Sequence, residues 1–305
     1  MSSWLAFSAE VREALDSGRP VVAVESSVWA QGLPRPMNFE VALEVDAQIR
    51  AGGAVPAVIY VAGGKLHFGL TRAELERLCS RPGRVAKVGV GDLPGMLAGG
   101  GAGATTVSAS LVGAELAGIE VLATGGVGGV HRNWSQRPDI SADLGQLART
   151  RCLTVCSGVK SVIDIPATLE ILESLAIPLA LYRTDDFPRF YTQGLPIEIG
   201  FRVDSPEEAA RAHRASVEIL GRGLMVAQPV PPEHAIPLEE VEGWLREGLR
   251  RAETERSTGK ALTPFLLDHL ARASGGRSLE ANRSLLQYNA HLAARIAVAM
   301  VDTSS

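Results

Sequence analysis

Of the thirty basic residues in this 305-residue chain only four are lysine: Lys65, Lys87, Lys160 and Lys260. Arginine supplies the remaining positive charge, so a lysine in an apolar setting stands out as an amine. Lys87 lies inside the run RVAKVGV and Lys160 closes VCSGVK, so neither falls on an evident solvated helix face. A desolvated lysine loses proton affinity and becomes a nucleophile able to form a Schiff base, which an arginine cannot do. The competing reading for each is a snorkelling or salt-bridged side chain. Lys65, beside a Gly-Gly turn, and Lys260, after Ser-Thr-Gly, read as ordinary loop lysines. Glu25 closes the apolar run Val21-Val22-Ala23-Val24. A carboxylate there must reach a cleft or find a partner, because burying it alone is costly. In a cleft it is placed for general acid work; otherwise it is a helix cap or half of an ion pair.

Two Gly-rich stretches add polar groups. In GGGAGATTVSAS (99–110), backbone amides with Thr105 or Thr106 can hold a phosphate at a helix start. A ligand-free turn explains the same residues. The dinucleotide reading is weak there, because a helix rather than a strand precedes the glycines. In TGGVGGVHRNWSQRPDISADL (124–144), four glycines permit close backbone approach or unusual dihedrals, and His131 and Arg132 follow. Asp139 and Asp143, with Ser141 between them, can present oxygens to a hard divalent ion such as Mg2+ or Mn2+. Alternatively, Asp139 or Ser141 caps a helix over 141–149 and Asp143 complements its dipole. Asn282 and Asn289, seven apart, share one helix face as an interhelical contact or a ligand-reading amide. No HExxH, GxSxG or Walker A lysine is present.

These groups need elements to hold them. Short apolar runs predict strands at 20–26, 54–62, 65–70, 84–90, 120–126, 155–160, 177–183 and 223–229, the second and third joined by a hairpin at Gly63-Gly64. Helical periodicity falls between them, with Asn38 as a candidate cap for the helix after QGLPRP. Further helices are expected over 72–79, 105–117, 161–175, 205–219, 238–254, 262–273 and 278–300. Alternation of this kind implies one α/β/α domain over 1–305, a mostly parallel sheet covered on both faces. Ligands of such sheets sit at the carboxyl ends of strands, where Glu25, Lys160 and the glycines after Thr124 all fall.

Composition narrows the classes. A net charge of −4 disfavours nucleic-acid binding. No apolar run is long enough to span a bilayer, and the first residues lack a signal-peptide pattern. Cys79, Cys152 and Cys156 form no framework or CxxC pair, so buried thiols in a reducing, cytoplasmic setting are expected, without zinc.

Taken together, the segments VVAVESSVWAQGLPRPMN, GGAVPAVIYVAGGKLHFGL, ATTVSAS, VLATGGVGGVHR, DISADL, CSGVKSVIDIPATLE, YRTDDFPRFYT, RVDSPEE, TPFLL and GGRSLEAN resemble the pseudouridine-5′-phosphate glycosidase family along nearly the whole chain. The resemblance implies reversible cleavage of a C–C glycosidic bond, giving ribose 5-phosphate and uracil, with a divalent metal, usually manganese. It implies Lys160 as nucleophile, Glu25 as proton donor and Asp139 as metal ligand. Lys87, Val107 and Ser141-Ala142-Asp143 then look like substrate-binding positions, and Thr124, His131 and Asn282 fall in active-site motifs. Lys87 with Thr105 and Thr106 is expected to hold the phosphate. An α/β/α fold and a homotrimer are also implied. Departures touch the base: Gly89-Val90-Gly91-Asp92 replaces the usual Ser-Arg-Arg-Asp, and Asn133-Trp134 replaces small residues. Gln31 stands where a His is common, and Trp29 where a smaller apolar residue is. A C-glycosynthase using another aromatic aglycone, a non-catalytic sugar-phosphate binder and a dinucleotide-dependent oxidoreductase are the alternatives.

Overall fold

The structure is a computed structural model that describes residues 3–80, 85–132, 134, 138–196, 199–257 and 262–302. Asn133 and Lys260, both singled out in the sequence, lie outside the described residues. An eleven-stranded mixed sheet organises the chain. Its middle runs through the strands Lys65–Phe68, Val55–Ala62, Val21–Glu25, Val121–Ala123, Leu153–Cys156, Met225–Ala227 and Leu179–Tyr182. From Val55–Ala62 to Leu179–Tyr182 every neighbouring pair is parallel. Antiparallel pairing is confined to Val55–Ala62, which makes the expected Gly63-Gly64 hairpin with Lys65–Phe68 and also meets Gly103–Thr105.

Every residue of Val21–Glu25, Leu153–Cys156 and Leu179–Tyr182 is buried, which requires cover on both faces and explains their unbroken apolar runs. The helix Arg277–Asp302 packs on Val21–Glu25, Val121–Ala123 and Leu153–Cys156, flanked by Met37–Ala51 and Pro206–Leu220. The helix Val107–Ala117 packs on Val21–Glu25, Val55–Ala62 and Val121–Ala123. The result is the three-layer α/β/α arrangement expected. Leu285 and Leu286 on the long helix are essentially fully buried, each contributing about 2 kcal/mol by removal from water.

Some expectations need correction. Asn38 does not cap the helix that follows QGLPRP; it lies within Met37–Ala51, and its buried amide donates to the carbonyls of Trp29 and Cys79. It bridges two other segments because a buried amide must be satisfied. The helix expected from 105 starts at Val107, because Gly103–Thr105 first joins the sheet. Gly125, Gly126, Gly128 and Gly129 do not adopt left-handed dihedrals. They serve close approach: a Cβ at Gly126 would lie 2.7 Å from the Phe190 ring, and one at Gly128 2.4 Å from Ser141 Oγ. The three cysteines are free and buried as expected. Burial pushes the thiols of Cys79 and Cys156 up to about 11 and about 12, respectively, so they stay protonated and unreactive at neutral pH.

Candidate active site

The strand Val21–Glu25 leaves its neighbour after Glu25, which faces Ile59, and from there Tyr60 and Val61 pair with Gly103–Thr105 instead. A hydroxyl stitch fixes this departure. Ser26 Oγ donates to Ile59 O at 2.6 Å and accepts from the Thr105 amide at 2.9 Å, while Thr105 Oγ1 donates to the same carbonyl at 2.6 Å. Thr105 is completely buried and its hydroxyl is committed here, so it holds the strand end and not a phosphate. Val107 is likewise completely buried, its side chain part of the core.

Glu25 is thereby set at the carboxyl end of the sheet, only 3% exposed. Ser27 Oγ donates to its Oε2 at 2.6 Å and Thr124 Oγ1 to its Oε1 at 2.5 Å. Both carboxylate oxygens accept a hydroxyl hydrogen bond, which offsets the cost of burying the group.

Two adjoining cavities open on this end of the sheet. Glu25, Gln31, Phe190, Leu267 and Asn282 line the inner one. Thr106, Ser108, His131, Asp139, Ser141 and Asp143 are among the residues lining the outer one. Ser27, Lys87, Lys160 and Thr263 line both. The two lysines singled out by their setting therefore stand at the junction of an inner, more apolar chamber and an outer, polar one. Among the described residues no hydrogen bond or ion pair engages the Lys160 amine.

Phe190 forms a wall of the inner chamber with φ +66°, a left-handed conformation unusual for so large a residue. Its amide donates to Ser157 O, and its ring occupies the space that a side chain at Gly126 would need. The two asparagines seven apart divide their roles. Asn289 is structural: its Nδ2 donates to Thr124 O at 2.9 Å and Ser157 Oγ at 3.1 Å, and its Oδ1 accepts from Gln228. Asn282 lines the inner cavity, and its buried Oδ1 has no donor.

In the outer cavity, Asp143 is engaged by backbone amides. Its Oδ1 accepts the Ser108 amide and its Oδ2 the Gly128 amide, both at 2.9 Å, tying a helix start to the glycine loop. Ser141 caps the helix Ala142–Leu147 through the Asp143 amide, and Ala142 opens that helix against the cavity. Among the described residues no group of three or more His, Cys, Asp or Glu forms a metal cage. Of the carboxylates lining this cavity, Asp92 and Asp143 accept backbone amides, and a divalent ion held at Asp139 would complete its shell with water and substrate oxygens. A hard ion such as Mg2+ accepts such a set. His131 lies nearby, its Nδ1 buried without a partner. Burial holds its imidazole below the ordinary value, the Lys87 and Lys160 charges push the same way, and Asp139 opposes them.

Arg132 turns away from both cavities to a bidentate pair with Glu242 at 2.8 and 2.9 Å. Sequence reasoning missed Ser27, Ser108, Phe190 and Thr263. Only Ser27 carried a local signal, as the hydroxyl two residues beyond Glu25.

A buried carboxylate and an amine at the carboxyl ends of a parallel sheet, beside a polar chamber, define an enzyme site for a small phosphorylated or polar ligand. Residues 10–299 match the family model described as indigoidine synthase A like protein. The chain is 48% identical over 305 residues to a pseudouridine-5′-phosphate glycosidase of Symbiobacterium thermophilum, covering 98% of this chain and 99% of that one. It is 44% identical to the corresponding protein of Sorangium cellulosum, covering 97% and 93%. Among solved structures, the prealnumycin C-glycosynthase AlnA in complex with ribulose 5-phosphate is similar with a TM-score of 0.91 and 39% identity, covering 100% of this chain and 99% of that one. An indigoidine synthase A-like protein from Thermotoga maritima gives 0.88 and 37%, covering 97% and 96%. The chain belongs to the indigoidine synthase A-like, pseudouridine-5′-phosphate glycosidase family.

Proposed function

We propose that this protein makes and breaks the C–C glycosidic bond between ribose 5-phosphate and a base, through an imine of the ring-opened sugar on Lys160. One observation carries the reading: Lys160 lines both cavities, with Glu25 in the inner one and the polar wall of Thr106, Ser108 and Ser141 in the outer one. The base belongs in the inner chamber and the phosphate in the outer, near Lys87 and Thr106. Ala142, Asp143 and His131 line the same wall, and Thr124 acts on the substrate through Glu25.

A C–C bond offers no heteroatom leaving group, so protonating a glycosidic oxygen does not apply. In cleavage, the Lys160 amine attacks C1′ through its nitrogen lone pair, and the ring oxygen departs with a proton to become the 4′-hydroxyl. The C1′–base bond then breaks with its electron pair passing to the base carbon, which takes a proton from Glu25. The nitrogen lone pair forms the C1′=N bond, and one water hydrolyses this imine to free the aldehyde and restore the amine. Synthesis runs the same steps backwards, with Glu25 accepting the base proton and one water released. The ribulose 5-phosphate held by AlnA supports an open-chain sugar, because a ketopentose with a phosphorylated O5 cannot close a furanose ring.

Asp139 is the residue proposed to hold a divalent ion, Mn2+ in this reading, which when bound would neutralise substrate oxygen charge in the outer cavity. A homotrimer and a single domain over 1–305 complete the proposal; exposed Leu116, Ile219 and Leu220 supply apolar surface for self-association. Among the described residues no helix is long and apolar enough to cross a membrane. The second reading, attachment of ribose 5-phosphate to a non-uracil aromatic aglycone, draws support from the similarity to AlnA.

Borohydride added with ribose 5-phosphate should leave a reduced sugar adduct on Lys160, located by peptide mass mapping. Folded, metal-supplemented protein that yields no adduct would rule the imine out. Sedimentation velocity reads the assembly, and a monomer at working concentration would exclude the trimer.

A further inference from the structure

We infer that the protein holds a second ligand site, for a phosphate monoester joined to a planar ring. The site is a cavity of about 470 Å3 at the carboxyl end of the sheet, lined by Tyr182 and Gln228 from strand ends. Gln48 of Met37–Ala51, with Tyr288 and Arg295 of Arg277–Asp302, also lines it. It shares no described lining residue with either chamber of the candidate active site. Small-molecule sites usually span about 300–1,000 Å3, so a ligand of mononucleotide size fits. The carboxyl ends of parallel strands are also where such ligands sit.

Arg183, a further lining residue, is fixed in place before any ligand arrives. Its backbone takes a left-handed φ of +54°, uncommon for a non-glycine residue and often found at functional sites. Its amide donates to Val203 O and its Nε to Asp204 O, each at 2.9 Å. The guanidinium lies over the Tyr182 ring, 5.2 Å from the centroid. With Nε committed, its two terminal NH2 groups make no hydrogen bond among the described residues. Such an edge matches two oxygens of one phosphate. Arg295 is exposed and makes no hydrogen bond or ion pair among the described residues. No Asp or Glu occurs among the described residues lining the cavity. Two arginines on one cavity repel each other, and an anion between them turns that repulsion into attraction. Tyr288, 51% exposed, offers aromatic surface to a planar ring.

Gln228 ties this cavity to the catalytic carboxyl. Its Nε2 donates to Asn289 Oδ1 at 3.3 Å, Asn289 Nδ2 donates to Thr124 O at 2.9 Å, and Thr124 Oγ1 donates to Glu25. A ligand donor on Gln228 Oε1 therefore acts on a chain that ends at Glu25, and its signature is a changed kcat. This coupling, unlike the site itself, rests on the role proposed above for Glu25.

The test is calorimetry on the full chain with adenosine 5′-monophosphate, uridine 5′-monophosphate, adenosine and inorganic phosphate. At least one mononucleotide should bind more tightly than adenosine or phosphate alone. Arg183→Gln and Arg295→Gln should each weaken that binding roughly tenfold, the scale of lost hydrogen bonds to a charged group. Both variants should keep wild-type turnover without nucleotide, which shows that they fold. Lys87→Ala should bind the nucleotide as wild type does, because Lys87 lines only the other two cavities. Saturating nucleotide should change wild-type kcat about twofold or more while leaving the KM for ribose 5-phosphate in place. Binding of neither mononucleotide would overturn the site. So would binding that Lys87→Ala loses and both arginine variants keep. Phosphate bound as tightly as either nucleotide would overturn the ring requirement. Binding with unaltered kcat would overturn the coupling to Glu25. A wild-type protein without C–C turnover would instead remove the proposed chemistry and the coupling with it, while calorimetry would still decide the site.

Discussion

Thr124 and Glu25, 99 residues apart in the chain, meet through a 2.5 Å hydrogen bond at the ends of two adjacent parallel strands. Among the described residues the hydroxyl makes no other hydrogen bond, so its geometry is given over to the carboxyl that the reaction needs. Thr124→Val keeps the shape and removes the donor. Turnover should fall roughly 10- to 100-fold, the scale of one lost hydrogen bond to a charged group, while the sugar still traps on Lys160. Glu25→Ala should also trap sugar and yield no C–C product. Full turnover by Glu25→Ala would end the proton-transfer assignment.

Asn289 supports that pair from behind. Its amide holds the Thr124 carbonyl and the Ser157 hydroxyl while touching neither cavity. Asn289→Leu leaves these groups unpaired in the core and should cost about 2–3 kcal/mol in a urea titration. Loss of kcat should exceed any rise in KM, because Thr124 would lose its registry with Glu25 and the substrate walls would not. A KM effect alone would contradict this.

The strands that carry Glu25 and Thr124 were legible because an unbroken apolar run of parallel-strand length has few other solutions. Lys160 was legible because lysine is rare here and this one follows such a run. The hairpin Asp186–Arg189 with Thr192–Pro196 was not. Asp186 and Pro188 break its alternation, and its value lies in placing Phe190, which only the tertiary fold reveals. Thr105 and Thr106 are adjacent and chemically identical, yet one is stitched to Ile59 and the other lines the cavity. No local pattern separates them, since the difference is which strand leaves the sheet first. Asp139 and Asp143 are ambiguous for the same reason: their spacing suits a shared ion, while in the fold Asp143 accepts the amides of Ser108 and Gly128.

That last contrast is testable. Asp143→Ala orphans the amides of Ser108 and Gly128, so it should destabilise the protein by about 2–4 kcal/mol with or without metal. Asp139→Asn should leave the denaturation midpoint of the metal-free protein within about 0.5 kcal/mol of wild type, and weaken Mn2+ binding at least tenfold by calorimetry. If Asp143→Ala melted like wild type, or Asp139→Asn bound Mn2+ normally, the two roles would have been assigned the wrong way round.

His213 governs a pH dependence remote from the chemistry. It is 6% exposed on the helix Pro206–Leu220, its Nδ1 has no partner, and burial lowers it to about 4 from 6.5. The unfolded chain therefore binds a proton that the folded chain refuses between about pH 6.5 and 4. Stability rises with pH across that window: the contribution is complete above 6.5 and is lost as pH falls toward 4. A shift of this size corresponds to about 3 kcal/mol, undiminished by solvent because the ring is buried. Urea midpoints for wild type should drop steeply from pH 6.5 to pH 4, and His213→Phe should remove most of that slope. Parallel profiles for the two proteins would mean that His213 charges in place, without opposing the fold.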